Sequence, residues 1–433
     1  MWGYGGRPDS RQGAFCLFLR DDGRRYSVRD TEWGILLPVL SLLVLGTLGV
    51  YSATRGVEAL RHTLPQHILF ICLGLGVMVS VSLIPPKVLY SLACPLYLAS
   101  LISLIALLAL GTPVRGAVRW FSLGSFHVQP SEPAKFSLIL ALSRFLEDRR
   151  TDLRKVRWII PPVSMAGLFS LLVLLEPDLG TALSIAFLPV AMLWWAGMLP
   201  VHLFLLMSPV INGLCVLIWV LTGNALPWGA FLVVLTVVLL LYRPRFFHLI
   251  LWTALHIGIA TAVPSLWERL YDYQRRRIIA FLNPGSDPMG AGYQVLQSKV
   301  AIGSGGFWGK GFMKGTQTGL AFVPARHTDF ISAVVGEELG LFGMSLVLAL
   351  FGMLIWRSMN LAGSVRSRFL SFCIVGAASL WAFQATVNIG MALGIMPVTG
   401  LPLPFLSYGG SSMLTHMALV GLVLNARLHR YEY

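Results

Sequence analysis

Charged residues are scarce in this 433-residue sequence, where they make up only 12% of all positions, whereas hydrophobic residues make up 56%. The mean hydropathy is +0.73. Because a soluble domain carries about 25% charged residues, the composition excludes a soluble globular domain. It indicates an integral membrane protein instead.

Paired cysteines are also missing. The five cysteines are scattered, and four of them lie within apolar runs: Cys16, Cys72, Cys94, Cys215 and Cys373. Since no spacing between them is typical of a metal site or a disulfide framework, we expect buried free thiols.

Long hydrophobic runs fill most of the chain. A membrane span needs roughly 20 mostly apolar residues, and twelve segments are candidates: 34–53, 66–84, 90–110, 133–146, 158–176, 180–197, 201–222, 228–242, 247–265, 331–356, 369–391 and 411–427. The spans 133–146 and 228–242 are short. The predicted fold is therefore an all-α polytopic membrane protein of about 10–12 transmembrane helices, with a large extracytoplasmic loop and re-entrant or interfacial segments.

The positions of lysine and arginine predict the orientation. They cluster in the N-terminal tail and in alternate connections: Arg20–Arg29, Lys87, Arg149–Arg157, Arg243–Arg245, Arg357–Arg368 and Arg427–Arg430. With twelve spans these clusters share one side, which the positive-inside rule assigns to the cytoplasm. Residues 1–30 lack the features of a cleaved signal peptide. We therefore expect two cytoplasmic tails, 1–30 and 428–433, around a membrane domain over 31–427.

The connection 266–330 departs from this charge pattern. Between residues 266 and 329 it holds eight Lys/Arg against four acids, a net charge of +4, although it falls on the outer side. It is also rich in glycine and keeps aromatic residues, so we interpret it as the functional loop of the protein. A cationic cavity for an anionic, membrane-borne substrate explains the charge. The alternative is that a long loop simply escapes the positive-inside rule.

Two polar groups lie at membrane depth in the first half of the chain. The stretch 111–132 is too polar to span and suits an interfacial or re-entrant segment. It leads into Glu132 and Lys135, which are three residues apart and so share a helix face. An intramembrane acid–base pair is a functional candidate, and a structural ion pair is the equal alternative. In the outer turn Glu176–Thr181, helix capping is the favoured role of Asp178.

Two further groups lie near the outer ends of later spans. Asn388 precedes a Pro/Gly-rich run over 394–412, where Ser407 and Tyr408 offer hydroxyl groups to a polar ligand. Non-helical backbone at membrane depth lines a wet cavity or is buried in protein, although a surface loop is also open.

The triplet His327-Thr328-Asp329 directly precedes an apolar helix. Asp329 is either a general base or an N-cap, and composition alone favours the cap. In the helix that follows, Glu337 and Glu338 support that site or balance its charge.

These motifs resemble the SEDS family (shape, elongation, division and sporulation), the peptidoglycan polymerases that include RodA and FtsW. The similarity rests on five segments in family order: RWFSLGSFHVQPSEPAK (119–135), EPDLGTAL (176–183), DYQRRRIIAFLNPGSDPMGAGYQVLQSKVAIGSGGFWGKG (272–311), PARHTDFISAVVGEELG (324–340) and NIGMALGIMPVTGLPLPFLSYGGSS (388–412). The amino-acid sequence of the third segment is closer to RodA than to FtsW.

The resemblance implies a glycosyltransferase that polymerises lipid II on the outer face of the bacterial cytoplasmic membrane, with undecaprenyl pyrophosphate as the leaving group. It implies that Asp329 is the catalytic carboxylate, that Glu132 and Lys135 lie beside the cavity, and that His327 and Thr328 support the site. Cations that could bind the diphosphate are Arg119, Arg275, Arg277, Lys299 and Lys310.

The resemblance also implies partners: lipid II, the undecaprenyl-linked glycan and a class B penicillin-binding protein that supplies the transpeptidase. No nucleic acid is expected. A divalent cation, Mg²⁺ or Mn²⁺, could assist diphosphate departure, but no carboxylate cluster in the sequence is typical of a dedicated metal site.

The sequence departs from the family pattern at two places. Ala325 stands where family members usually have an acid, which weakens any role for a second carboxylate there. Extra sequence around 200–265 is best explained by an added helical pair over 201–242.

Two other functions would use similar features. A flippase or transporter of the lipid-linked precursor would also need a basic membrane cavity, but transporters often contain inverted repeats, and none is convincing here. A non-enzymatic scaffold for a cell-wall complex would not require the polar cavity.

Overall fold

The computed structural model describes residues 32–55, 57–111, 119–123, 126–148, 158–242, 246–270, 275, 278–279, 291–320 and 322–431. The predicted tail 1–30 lies outside these residues.

Helices account for almost all of the regular structure. In chain order they are α1 (Trp33–Thr54), α2 (Thr63–Leu83), α3 (Pro86–Leu110), α4 (Ser131–Asp148), α5 (Ile160–Leu175), α6 (Leu179–Trp195), α7 (Pro200–Thr222), α8 (Leu226–Tyr242), α9 (Phe246–Arg269), α10 (Ala291–Gly305), α11 (Thr316–Gly319), α12 (Ile331–Glu338), α13 (Gly340–Ser364), α14 (Arg368–Ala392) and α15 (Gly410–Leu428). A short 3₁₀ helix, Glu58–Leu60, lies between α1 and α2.

Within the described part of the chain, seven helices are long and apolar enough to cross a membrane: Trp33–Thr54, Thr63–Leu83, Pro86–Leu110, Pro200–Thr222, Leu249–Arg269, Gly340–Ser364 and Arg368–Ala392. Three shorter apolar helices are α5, α6 and α8. Each of the twelve predicted spans overlaps helical residues, and the predicted class, an all-α polytopic membrane protein, is confirmed.

Two helices, α4 and α15, are more polar because they lie inside the bundle. α15 packs along α2, α4 and α14, and most side chains of α4 are buried. Intramembrane polar groups are tolerated where they face the bundle interior rather than lipid. The main core joins α1–α6 with α12–α15, whereas α7, α8 and α9 pack around a small apolar core of their own.

The predicted single span 331–356 is wrong. The chain forms the short helix α12, breaks at Leu339–Gly340, and only then begins α13. The break has a tertiary cause, because Leu341 N and Phe342 N donate to the carbonyls of Gly306 and Phe307. Gly340 has φ +65°, a conformation that glycine adopts without steric cost.

The segments predicted to lie on the outer side contain more regular structure than the sequence pattern indicated. The stretch 111–132 includes a two-stranded antiparallel ribbon, β1 (Phe121–Leu123) and β2 (Phe126–Val128). The glycine-rich connection contains α10 and α11.

Only some of the described cysteines have the buried thiols that the sequence predicts. Cys373 is buried and Cys215 is partly buried, whereas Cys72 and Cys94 are exposed on helices that face outward from the bundle.

Candidate active site

The polar residues singled out in the sequence gather at one end of the bundle, where α1 ends at Thr54 and α2 begins at Thr63. We call this the site end. The turn Pro324–Phe330 lies here and is tied to α1, because Arg326 Nε donates to Ala53 O at 2.6 Å. Arg326 is only 3% exposed, and burial lowers its pKa.

Asp329 lies directly before the residue at which the following helix is capped. The N-cap of α12 is Phe330, one residue later, and the helix begins at Ile331. The carboxylate faces the segment 393–409, since a Cβ built on Gly400 would lie 3.7 Å from Asp329 Oδ2. Gly400 has φ +75°, a backbone conformation that glycine adopts without the steric cost that a side chain would bring.

His327 and Thr328 contact the segment that carries Ser407 and Tyr408. Tyr408 N donates to His327 O at 2.9 Å, and Ser407 Oγ donates to Thr328 O at 2.6 Å. The Tyr408 hydroxyl donates to Gln66 Oε1 at 2.6 Å. Ser407 and Tyr408 therefore already have protein partners, although the sequence proposed them as ligand-binding groups.

The Tyr408 ring lies between two imidazoles, with centroids 6.1 Å from His327 and 6.2 Å from His67. Burial, followed by the charge of Arg326, lowers the pKa of His327. Sequence reasoning missed Gln66 and His67, although two adjacent polar residues at the start of the apolar helix α2 were a usable signal.

Glu132 and Lys135 form a buried ion pair on α4. Lys135 Nζ lies 2.8 Å from Glu132 Oε1, and the two side chains are 0% and 2% exposed, respectively. The second oxygen, Glu132 Oε2, has no hydrogen-bond partner among the described residues. A carboxylate oxygen buried without a donor is costly, and ordered water usually satisfies such atoms.

The turn between α5 and α6 contains two acids, Glu176 and Asp178, that have different surroundings. Asp178 is the N-cap of α6 and accepts from Thr181 N at 3.2 Å and Gln129 Nε2 at 3.1 Å. Glu176 is fully buried, and neither of its carboxylate oxygens has a partner among the described residues. Burial, with a smaller contribution from Asp178, raises the pKa of Glu176 to about 8, although the charge of Arg119 opposes this.

The candidate diphosphate-binding cations differ in what they already contact. Arg119 donates to the backbone carbonyls of Glu176 and Pro177, and Arg275 donates to those of Trp267 and Glu268. Arg277 lies outside the described residues.

Lys310 and Lys299 provide the sharpest contrast. Lys310 Nζ lies 2.8 Å from Glu337 Oε1, so its charge is already balanced. Lys299 is exposed on α10 and has no acidic partner in the described ranges. Its ammonium lies over Gly394, where a Cβ would come within 2.6 Å of Nζ.

Glu337 and Glu338 hold the segment before α12 in place. The Glu337 carboxylate accepts from Lys310 and from the amides of Thr316, Gln317 and Thr318, each at 2.8 Å. Burial alone would raise its pKa, but these donors lower it to about 2. Glu338 accepts from Ser52 on α1, and burial raises its pKa.

Where the chain is described, no group of three or more His, Cys, Asp and Glu side chains is arranged to hold a metal ion.

Comparisons with known proteins show the family of the chain. The family model FTSW_RODA_SPOVE, described as cell cycle protein, matches residues 31–226 and 214–432. The chain is 37% identical over 406 residues to the peptidoglycan glycosyltransferase MrdB of Escherichia coli K12, an alignment that covers 92% of this chain and 93% of MrdB. It is 34% identical over 413 residues to the probable peptidoglycan glycosyltransferase FtsW of Trichlorobacter lovleyi, covering 92% and 94% of the two chains.

Two solved structures are similar over most of their length. One is a chain from a peptidoglycan synthase complex that coordinates polymerization and crosslinking, with TM-score 0.68, 31% identity, and coverage of 93% of this chain and 99% of that one. The other is the rod shape determining protein RodA of Thermus thermophilus, with TM-score 0.61, 28% identity, and coverage of 93% and 98%.

Proposed function

This chain belongs to the FtsW/RodA/SpoVE family of cell cycle proteins, and from that membership we propose that it is a peptidoglycan glycosyltransferase of cell elongation. Its substrate is lipid II, which it polymerises into glycan strands. The curated relatives are named for this activity, and one structural neighbour comes from a peptidoglycan synthase complex.

The observation that carries the proposal is the placement of Asp329 and Lys299 against one segment, 393–409. Asp329 faces Gly400, and Lys299 lies over Gly394. A carboxylate and a cation without an acidic partner among the described residues thus flank the same stretch of backbone. A carboxylate can serve as the general base in sugar transfer, and a cation can stabilise the leaving diphosphate.

In the proposed reaction, the hydroxyl oxygen of the acceptor sugar attacks the anomeric carbon of the growing glycan. Asp329 accepts the proton of that hydroxyl during the attack. The bond between that carbon and the diphosphate oxygen breaks, and undecaprenyl pyrophosphate leaves with the bonding electrons. Lys299 stabilises the charge that develops on the diphosphate. Arg119, Arg275, Arg277 and Lys310 remain candidates for further contacts with the diphosphate.

We place the reaction on the outer face of the cytoplasmic membrane, with both termini in the cytoplasm, because the positive-inside rule supports this orientation. The Glu132–Lys135 pair would lie beside the cavity and hold α4 at the site end. A class B penicillin-binding protein is the proposed partner, since the structural neighbour coordinates polymerization with crosslinking.

Assistance by Mg²⁺ or Mn²⁺ in diphosphate departure is a further proposal. Polymerisation measured after chelation and then across a series of added metal concentrations would test it. A rate that chelation leaves unchanged would contradict it.

The central test uses purified protein and lipid II, in detergent and in liposomes. We expect wild type to form polymer and both Asp329→Ala and Asp329→Asn to form none, because neither variant can accept the proton. Normal polymerisation by either variant would contradict the role of Asp329. Movement of lipid II between leaflets without polymer would favour a flippase.

A further inference from the structure

Three consecutive backbone carbonyls ahead of α12 are held by donors from α14 and from the segment 393–409 that follows it. Tyr408 N donates to His327 O at 2.9 Å, Ser407 Oγ to Thr328 O at 2.6 Å, and Asn388 Nδ2 to Asp329 O at 2.8 Å. We call these three donors the carbonyl clamp. Because α12 begins at Ile331, these carbonyls lie outside its hydrogen-bond ladder and depend on partners elsewhere.

Asn388 joins the clamp to the wall that the catalytic carboxylate faces. Its side chain is 0% exposed, and its amide also donates to Leu401 O at 2.7 Å. Leu401 follows Gly400, the residue beside Asp329 Oδ2. One amide group therefore sets both the backbone of Asp329 and the position of the backbone opposite its carboxylate.

Both the amide nitrogen and the amide oxygen of Asn388 have hydrogen-bond partners. Both amide hydrogens are donated to carbonyls, and Oδ1 accepts from Ser332 Oγ at 3.2 Å. Since carbonyls only accept, the orientation of this amide is determined by its partners. It links α14, α12, the turn before α12 and the segment 393–409.

Ser407 is saturated in the same way. Its side chain is 5% exposed, it donates to Thr328 O, and it accepts from Leu403 N at 2.8 Å. A hydroxyl with both roles filled by backbone is suited to holding the turn rather than to binding a ligand.

We propose that Asn388 and Ser407 are positioning residues that set the orientation of Asp329 for proton abstraction. The proposal rests on the proposed function, because it assigns Asp329 the role of base. A general base must lie within hydrogen-bond reach of the proton it removes, and a misplacement of about 1 Å can cost about 100-fold in rate. The clamp acts on the carboxylate through its own backbone, so its loss affects the chemical step more than substrate binding.

The decisive variant is Asn388→Asp, which preserves the shape of the side chain but removes both donors. We expect kcat for lipid II polymerisation to fall about 100-fold, with KM changed by less than about two-fold. The pH–rate profile should also shift, because the surroundings of the Asp329 carboxyl change.

Asn425 provides a matched control at the opposite end of the bundle. It is also 0% exposed, and its amide donates to the carbonyls of Val81, Ser82 and Ile84. Asn425→Asp removes the same donors far from the site end. We expect a lower melting temperature with kcat per folded molecule within about two-fold of wild type.

A second pair of variants covers the case in which Asn388→Asp does not fold. Ser407→Ala removes the hydroxyl, whereas Ser407→Thr keeps one. We expect kcat to fall with alanine and to recover at least in part with threonine. A drop in kcat no larger than that of Asn425→Asp, a change confined to KM, or equal loss with alanine and threonine would overturn the proposal.

Hydrogen–deuterium exchange of the peptide 324–332 separates this inference from the proposed function. Faster exchange in Asn388→Asp, and not in Asn425→Asp, is expected whether or not the assay yields polymer. If wild type makes no polymer, the proposed function fails, while unchanged exchange in Asn388→Asp would overturn the clamp.

Discussion

At the residue scale, the candidate diphosphate-binding cations differ in the partners that they have among the described residues. Arg119 and Arg275 donate to backbone carbonyls, and Lys310 is paired with Glu337. Lys299 has no acidic partner where the chain is described. The sequence predicts the same role, diphosphate binding, for all four residues, because their charge alone carries no information on their hydrogen-bond partners.

Lys299→Gln should therefore lower kcat/KM for lipid II about 10-fold or more, since a hydrogen bond to a charged group contributes about 1.5–3 kcal/mol. The control is Lys314→Gln, which removes one charge at another exposed lysine of the same connection. We expect only a small change in the control. Equal losses in the two variants would show that net charge, rather than contact with the diphosphate, is what matters.

Lys310→Gln should act on stability instead. It removes the partner of a Glu337 carboxylate that is 0% exposed, and an under-satisfied buried charge costs about 1–3 kcal/mol or more. We expect a lower melting temperature in detergent for this variant than for Lys299→Gln. The reverse order would contradict the assignment of Lys310 to a structural pair.

Glu176 predicts a pH dependence of stability. Its pKa is raised from 4.5 to about 8 in the folded protein, so the native state holds this proton more tightly than the unfolded state. The resulting stabilisation is present below about pH 4.5 and is lost as the pH rises through about 8. Glu176→Gln should flatten this part of the melting-temperature profile and raise the melting temperature most at pH 8 and above. A variant profile parallel to that of wild type would contradict the prediction.

The acids near helix starts show how far residue-scale reasoning reaches. The capping role favoured for Asp178 agrees with the structure, where it is the N-cap of α6. Composition also favoured a cap for Asp329, and the structure places this residue one position before the assigned N-cap of α12, Phe330. Because helix ends are assigned only to within one or two residues, the choice between a cap and a base for Asp329 stays a prediction.

At the scale of elements, the break between α12 and α13 shows a limit of hydropathy. Residues 331–356 are apolar enough to predict one continuous span, but backbone contacts with Gly306 and Phe307 interrupt it. These contacts come from a segment far enough along the chain that no local pattern reveals them. The sequence pattern did not predict the ribbon β1–β2 either, because strands of three residues are too short to show a clear alternation of polar and apolar side chains.

Gly340→Ala tests this break. At φ +65°, alanine is strained, and its Cβ would collide with the amide nitrogen of Gly309. We expect destabilisation of about 1–3 kcal/mol, measured as the midpoint of chemical unfolding in detergent. Gly352→Ala is the control, because a Cβ there meets nothing within 4 Å, and it should be neutral or stabilising. Similar midpoints for the two variants would count against a strained break at Gly340.

At the scale of the whole molecule, α7, α8 and α9 form a separate packing unit. They share a small apolar core and several buried polar contacts. Asn212 donates to His256 O at 3.0 Å and accepts from Trp228 Nε1 at 3.1 Å, so it joins all three helices. The added pair predicted over 201–242 coincides with α7 and α8, and its status as an addition to the family pattern stays a prediction.

Asn212→Leu should loosen this unit without altering the reaction. Polar contacts between membrane helices contribute about 0.6 kcal/mol on average, so we expect faster hydrogen–deuterium exchange in α7–α9 and an unchanged polymerisation rate per folded molecule. Loss of polymerisation in a folded variant would show that the unit contributes directly to the site.

The amino-acid sequence by itself determined the membrane class, the approximate positions of most long helices and the family, because hydropathy acts over lengths of roughly 20 residues and the motifs are local. It also brought Glu132 and Lys135 to one helix face, since their spacing follows the helical period. Only the tertiary structure decided which cations are already paired, that the Asp329 carboxylate faces Gly400, and that Asn388 and Ser407 hold the backbone of Asp329 and Thr328. Those facts depend on contacts between residues far apart in the chain, which composition and spacing do not encode.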